Sequence, residues 1–353
     1  ELTRPYNYPH TNPSCHWIRL MRITNEILLK LAHDTATRTA QEDRSLLAAY
    51  LHGSLLRETP LLGNTTDIDL FYVHNEEVSV AREIVRLTDE VHLDISHHSH
   101  KVYRQPRQLR QHPWLGPILN SCKILYDPQH FLDFAQASVR GNFGRPDQVL
   151  GRVSSLAEHA RQIWLGFHLE PIEPTPQDVM TYLKAIDHAA NAIAGISGPP
   201  LTERRFLLDL PVRAEAVQRP GLYAGVLGLL GAPQVDAETL RSWLPAWKEA
   251  YTALAPTQTP LRLHPHRLHY YQRALEAMLS SEHYADALWP FWHTWTTAIC
   301  ALPDNSPHRA AWESAGTRLG QIGADFFKRI QALDAFLDTI EDRLEVWARE
   351  NGA

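Results

Sequence analysis

The chain has 353 residues, which is long enough for two domains with separate hydrophobic cores. Its net charge of −6 argues against broad non-specific binding to nucleic acid, and its 44% hydrophobic and 21% charged residues are typical of a globular protein. The three cysteines, Cys15, Cys122 and Cys300, show no metal-binding spacing, and no apolar run is long enough to span a membrane. We therefore expect a reduced, cytoplasmic protein without a signal peptide or a membrane segment.

The first third of the chain alternates helical and strand patterns. Apolar residues recur at helical spacing over residues 16–33, and a second helical piece continues to about Asp43. Strands are predicted at residues 46–52, 67–74, 91–97 and 124–126. A helix is predicted at 76–88, and residues 104–121 have a helical pattern that Pro113 interrupts. This alternation is typical of a small mixed sheet with helices packed on it.

After Pro128 the pattern is helical throughout. Proline-marked breaks separate eight predicted helices, at residues 128–139, 146–168, 176–195, 201–218, 236–254, 265–281, 284–301 and 307–349. The last has an apolar stripe at close to 3.5-residue spacing, which is compatible with a homodimer seam but more often marks the buried face of a bundle helix. The sequence therefore predicts an α+β protein with a mixed-sheet domain at 1–127 and an α-helical bundle domain at 128–353.

The most informative stretch is residues 52–71, HGSLLRETPLLGNTTDIDLF. Because successive side chains of a strand point to opposite faces, Asp67 and Asp69 project from one face of the second strand. Adjacent carboxylates are unfavourable unless a cation lies between them, and Mg²⁺ is the foremost hard cation that takes oxygen ligands. The Gly53-Ser54 turn offers a phosphate close backbone approach and a hydroxyl group. These features together predict a metal-bound nucleoside triphosphate.

This arrangement resembles the DNA polymerase β-like nucleotidyltransferase superfamily, and is closest in style to the bacterial antibiotic (aminoglycoside) adenylyltransferases. The signature is an apolar strand, Gly-Ser, a spacer, and Asp-x-Asp flanked by apolar residues. The matching pieces here are residues 49–51, Gly53-Ser54 and residues 67–73, with a slightly longer spacer than the commonest version. The resemblance covers residues 16–127 and implies that residues 1–127 form a nucleotidyltransferase domain.

The resemblance also implies roles for individual residues. Members of the family have a third carboxylate on a later strand, and Asp94 fits because Leu93 and Ile95 point to the other face. Asp67, Asp69 and Asp94 are then the catalytic residues and the ligands of two Mg²⁺ ions. Gly53 and Ser54 bind the terminal phosphates, with Arg57 assisting, and Asp94 is also a candidate base.

The implied activity is the transfer of a nucleoside monophosphate to a hydroxyl group, with release of pyrophosphate. The donor is ATP by default, since the sequence does not identify the base. We favour a small acceptor such as an aminoglycoside-like antibiotic, which the acidic balance of the chain suits. The alternatives are a protein- or RNA-directed nucleotidyltransferase of the toxin–antitoxin type and a non-catalytic nucleotide-binding regulatory module. An acidic cleft would favour a polyamine-like substrate, and a basic stripe would favour RNA.

Several other residues have two interpretations. His97, His98 and His100 follow Asp94 closely and are candidate metal ligands, but an exposed loop is the favoured interpretation. Aromatic residues at helical spacing favour core packing over a stacking surface for a base: Trp289, Phe291, Trp292 and Trp295. Candidate bases for the acceptor hydroxyl in the first helices of the second domain are Glu158, Glu170 and Asp187.

Overall fold

The computed structural model describes residues 23–169, 173–255 and 259–353, and its first part is built on one mixed five-stranded sheet. The strands are β1 (Leu46–His52), β2 (Thr66–His74), β3 (Arg82–Arg86), β4 (Val91–Ser99) and β5 (Lys123–Tyr126). Their order across the sheet is β3-β4-β2-β1-β5, with β2 and β4 parallel and the other neighbouring pairs antiparallel. The four predicted strands are thus confirmed, as β1, β2, β4 and β5.

The strand β3 lies where the sequence predicted a helix, within residues 76–88. It pairs with β4 in an antiparallel hairpin at the edge of the sheet. Of its five residues only Ile84 is buried, as expected for a strand with one covered face. The segment is rich in β-branched residues, which favour strands: Val78, Val80, Ile84 and Val85. The helix prediction was wrong because these residues and the hydrogen bonds to β4 satisfy the backbone in an extended conformation.

Helices cover both faces of the sheet: α1 (Asn25–Glu42), α2 (Pro106–Gln111), α3 (Leu115–Ser121) and α4 (Phe131–Arg140). α1 packs on the face that carries Ile68 and Ile95, whereas α2, α3 and α4 pack on the face that carries Tyr50 and Val73. The predicted break at Pro113 is confirmed, but α1 is one continuous helix. Residues 16–22 of the first predicted helix lie outside the described residues. The domain boundary at 127/128 stays a prediction; α4, which follows it, still packs on the sheet.

The rest of the described chain is helical and consists mainly of α5 (Pro146–Leu169), α6 (Pro176–Ser197), α7 (Phe206–Ala216), α8 (Gly221–Leu230), α9 (Ala237–Thr252), α10 (Leu268–Leu279), α11 (Leu288–Ala301), α12 (Arg309–Leu319) and α13 (Phe326–Asn351). Their apolar residues form one continuous core. The aromatic residues of α11 belong to it and are at most 2% exposed, so their predicted core packing is confirmed. The protein is of the α+β class, with a mixed sheet followed by a mostly helical region.

Two helical segments differ from the prediction. The predicted helix 307–349 is divided into α12 and α13, because Gly320 adopts a left-handed backbone conformation (φ 69°) that ends α12. α8 forms in a glycine-rich segment for which no helix was predicted. The apolar stripe of α13 packs against α5 and α6 inside the core, which confirms the bundle interpretation. A homodimer stays a prediction that this helix does not support.

The histidines after Asp94 do not lie in an exposed loop, so that interpretation was wrong. β4 continues to Ser99, and His97 and His98 are half-buried on it. They have separate partners, because His97 Nδ1 lies 2.9 Å from His74 Nε2 and His98 Nδ1 lies 2.7 Å from the Tyr103 hydroxyl. Among the described helices, none combines the length and apolar character needed to cross a bilayer.

Candidate metal and phosphate site

The three predicted catalytic carboxylates lie together on the two parallel strands at the centre of the sheet. Asp67 and Asp69 project from the same face of β2, and Asp94 is the direct register partner of Asp69 on β4. Each of the three offers an oxygen atom, and these atoms lie within 4.8 Å of one another. Asp67 and Asp94 are buried and Asp69 is half-buried. An all-oxygen set of this kind fits a hard divalent cation such as Mg²⁺.

The surroundings of the cluster shift the pKa values of Asp67 and Asp69 in opposite directions. Burial on its own raises the pKa of Asp67, but the positive charge of Arg267 and further contacts outweigh it and lower that pKa to about 2. Burial, together with the neighbouring Asp67 and Asp94, raises the pKa of Asp69 well above its ordinary value. Full ionisation of all three carboxylates therefore requires additional positive charge, which is the condition that a metal ion meets.

The predicted phosphate turn lies directly against this cluster. Gly53 has a positive φ of 89°, and a Cβ atom at this position would lie 1.8 Å from Asp69 Oδ2. Only glycine fits this position, because both the backbone conformation and the space exclude a side chain. Ser54 begins a short 3₁₀ turn, and its hydroxyl lies 2.9 Å from that of Thr66. The turn thus brings backbone and a hydroxyl to the edge of the carboxylate cluster.

The predicted nucleotide-binding residue Arg57 lies at the rim of the site. Its guanidinium pairs with Asp209 of α7 at 2.7 Å, and both side chains are partly exposed. Arg57 lines the same cleft as Gly53, Ser54, Asp67 and Asp69, a space of about 200 Å³ between the sheet and the helical region. Five of the six predicted site residues therefore line this cleft, and Asp94 lies buried beside it.

The opposite wall of the cleft consists of residues that the sequence analysis missed. Tyr270 of α10 donates a hydrogen bond from its hydroxyl to Asp67 Oδ2 at 2.7 Å. Arg204 donates to the hydroxyl of Thr65 at 2.8 Å and to the Tyr270 carbonyl at 3.0 Å, and its guanidinium lies 3.3 Å from the centre of the Tyr270 ring. Arg267 also contacts the carboxylate cluster. These residues lie more than a hundred positions from the Asp pair, and no local motif identifies them.

The cleft is basic although the chain is acidic. Six arginines line it: Arg57, Arg82, Arg204, Arg205, Arg262 and Arg267. The acidic residues of the lining are Asp67, Asp69 and Glu203. Arginine is well suited to phosphate because its planar guanidinium offers several donors in a fixed geometry. The lining therefore favours an anionic ligand such as a phosphate group, in contrast to the acidic balance of the whole chain.

A second cavity of about 420 Å³ shares Glu203 and Arg262 with the cleft. Its other lining residues are mainly aromatic or charged: Trp114, Met180, Lys184, Asp187, His188, Leu201, Phe206, Trp289 and His293. Burial raises the pKa of Asp187. Asp187 thus lies in a cavity that borders the cleft, while Glu158 is exposed on α5 and Glu170 lies outside the described residues.

The sequence matches no family model and shows no significant similarity to a curated protein.

Proposed function

We propose that the protein is a metal-dependent nucleotidyltransferase that transfers a nucleoside monophosphate from a nucleoside triphosphate to a hydroxyl group of a small molecule. The observation that carries this proposal is the convergence of Asp67, Asp69 and Asp94 beneath an arginine-lined cleft. Carboxylates bind the cation and arginines bind the phosphates that the cation bridges. A purely structural ion pair network needs no cleft, and a purely anionic ligand needs no carboxylate cluster. The resemblance to the polymerase β-like superfamily points to the same activity.

In this proposal, different residues of the site bind the metal and the phosphates. Asp67, Asp69 and Asp94 hold Mg²⁺, two ions by the family resemblance, and Gly53, Ser54 and the arginines bind the phosphates of ATP or another nucleoside triphosphate. Bound Mg²⁺ stabilises the negative charge of the attacking and leaving oxygens. The acceptor oxygen forms a bond to the α-phosphorus, the bond to the pyrophosphate oxygen breaks, and the hydroxyl proton passes to a carboxylate.

The second cavity supports a small acceptor. Its size of about 420 Å³ falls in the range of small-molecule pockets, and it combines aromatic walls with a few charged groups. Asp187 is the candidate base within it, because a carboxylate whose pKa is raised by burial accepts a proton more readily at neutral pH. Asp94 fits this role less well, since Arg82 hydrogen bonds to both oxygens of its carboxylate.

One observation favours the RNA-directed alternative, namely the basic lining of the cleft. Most of these arginines are nevertheless paired within the protein, as Arg57 is with Asp209 and Arg262 with Glu203. The cleft also holds only about 200 Å³, a size that suits phosphate groups rather than a polynucleotide track. The small-molecule acceptor is therefore the preferred proposal. Transfer of label from a triphosphate to RNA or protein, with none to small hydroxyl compounds, would reverse that preference.

The test is binding of each of the four common nucleoside triphosphates by calorimetry, with and without Mg²⁺. Asp69→Asn removes one predicted ligand, and Asp304→Asn is the matched control because its carboxylate is fully exposed. We expect one triphosphate to bind the wild type and the control only with Mg²⁺, and to bind Asp69→Asn at least 100-fold more weakly. Equal binding to Asp69→Asn would overturn the proposed site.

Measurement of turnover distinguishes the proposed enzyme from a non-catalytic nucleotide-binding module. Pyrophosphate release with a panel of hydroxylated small molecules should fall by at least two orders of magnitude in Asp69→Ala, with an unchanged circular dichroism spectrum. Mg²⁺-dependent binding without pyrophosphate release from any acceptor tested, RNA and protein included, would instead support the regulatory module.

A further inference from the structure

One residue of the helical region contacts two of the three carboxylates of the cluster. Arg267 lies immediately before α10 and is 6% exposed. Its Nη2 atom donates to Asp94 Oδ2 at 2.7 Å and to Asp67 Oδ2 at 3.1 Å. Its Nε atom donates to His92 Nε2 at 3.2 Å. A single guanidinium nitrogen thus bridges two of the three predicted metal ligands.

This position conflicts with a metal ion. A cation held by Asp67 and Asp94 through their Oδ2 atoms would compete with Arg267 Nη2, which already donates to both of these oxygens. Two cations in one place also repel each other strongly, because a buried site screens charge poorly. Arg267 must therefore leave before these two oxygens can share a metal ion.

A second arginine does not occupy the same place. Arg82 of β3 binds Asp94 alone, through Nε at 2.5 Å and Nη2 at 2.6 Å, and its side chain is 41% exposed. Arg267 is the one of the two that links both strands of the cluster. It also lines the cleft, where a phosphate group would offer its guanidinium a new partner.

We propose that Arg267 is a displaceable internal counter-ion of the metal site, which the phosphates of an incoming nucleotide draw away as the metal enters. The inference rests on the proposed function. It makes Arg267 a positioning residue that couples metal binding to nucleotide binding. Free Mg²⁺ competes with Arg267 and binds weakly, whereas Mg²⁺ with its nucleotide supplies both the replacement cation for the carboxylates and the anion for the arginine. Asp67 and Asp94 thereby have a cationic partner in both states.

The test compares Mg²⁺ affinity and thermal unfolding in the wild type, Arg267→Gln and Arg273→Gln. Arg273 is the matched control, since it lies on α10, is exposed and pairs with Glu276 on the same helix. We expect Arg267→Gln to unfold at a lower temperature without metal, to bind Mg²⁺ at least tenfold more tightly than the wild type, and to regain thermal stability when Mg²⁺ is added. The wild type and Arg273→Gln should bind free Mg²⁺ weakly, and their unfolding temperatures should change little when Mg²⁺ is added. None of these readouts depends on turnover.

A second variant, Arg267→Lys, tests the same role in case Arg267→Gln does not fold. Arg267→Lys keeps a positive charge but offers only a single ammonium group, so its Mg²⁺ affinity should lie between those of the wild type and Arg267→Gln. An affinity equal to that of the wild type in every folded variant would overturn the counter-ion role.

Measuring Mg²⁺ binding in the presence of nucleotide distinguishes failure of the counter-ion role from failure of the proposed function. Adding the triphosphate identified by calorimetry should tighten Mg²⁺ binding by the wild type at least tenfold, and by much less in Arg267→Gln. If the nucleotide tightens Mg²⁺ binding equally in both proteins, the coupling role is wrong and the nucleotidyltransferase proposal stands. If Mg²⁺ binds neither protein with or without nucleotide, both proposals fail.

Discussion

Replacement of Gly53 by alanine tests the geometry of the phosphate turn. Gly53 has φ 89° and ψ −153°, a region that only glycine occupies readily, and another residue there costs about 1–3 kcal/mol. The new Cβ would also lie 1.8 Å from Asp69 Oδ2 and 2.8 Å from its Cγ. Moving the Asp69 side chain away from its rotamer adds about 0.5–1.5 kcal/mol. The free energy of unfolding should therefore fall by about 1.5–4.5 kcal/mol.

The assay combines urea unfolding, followed by circular dichroism, with calorimetric binding of the Mg²⁺-dependent nucleotide. Gly53→Ala should lose stability and also lose at least tenfold in nucleotide affinity, because displacement of the Asp69 carboxylate disturbs the cluster. Gly228→Ala is the matched control: it lies within α8 and a Cβ there meets nothing within 4 Å. The free energy of unfolding of that variant should rise by about 0.5–1 kcal/mol, and the variant should bind nucleotide normally. Wild-type stability and affinity in Gly53→Ala would refute the argument.

Two further predictions concern the contact between the sheet and the helices and the response to pH. Arg204→Met removes buried hydrogen bonds to Thr65 and to the Tyr270 carbonyl, so its free energy of urea unfolding should be about 3 kcal/mol lower; a loss below about 0.5 kcal/mol would contradict this. Burial, with the nearby His159 and Lys184, lowers the pKa of His188 from 6.5 to about 4, so the unfolded chain binds a proton in this range that the folded protein does not. The free energy of unfolding should fall as the pH falls from about 6.5 to about 4, with about 1 kcal/mol due to this half-buried ring. Urea unfolding at both pH values should show a smaller decrease in His188→Gln than in the wild type, and an equal decrease would exclude the effect.

Local patterns and the family resemblance together were sufficient to find the three carboxylates of the candidate site. Period-two alternation placed Asp67 and Asp69 on one face of β2, the resemblance pointed to Asp94 on a later strand, and the parallel register of β2 and β4 brings all three together. The same approach failed for β3, because its strand conformation depends on pairing with β4 at the sheet edge. The edge pairing is a tertiary contact that periodicity does not report.

The basic wall of the cleft was beyond sequence reasoning for a different reason. Tyr270 hydrogen bonds to Asp67 across 203 residues of chain, and Arg204 reaches Thr65 across 139. In a chain with 34 basic residues, nothing local distinguishes these arginines from those on the surface. Their role depends on how the helical region docks on the sheet, which one sequence does not specify.

The long separation between Asp94 and Arg267 has a consequence for biosynthesis. The two residues that form this 2.7 Å contact are 173 positions apart, and the carboxylate cluster leaves the ribosome first. At roughly 5–20 residues per second, about 10–35 s pass before Arg267 is added to the chain. If the sheet forms in that interval, its three clustered acids have Arg82 but not yet Arg267 as a partner. Under the proposed competition, a metal ion would then meet these acids before the arginine that later opposes its binding.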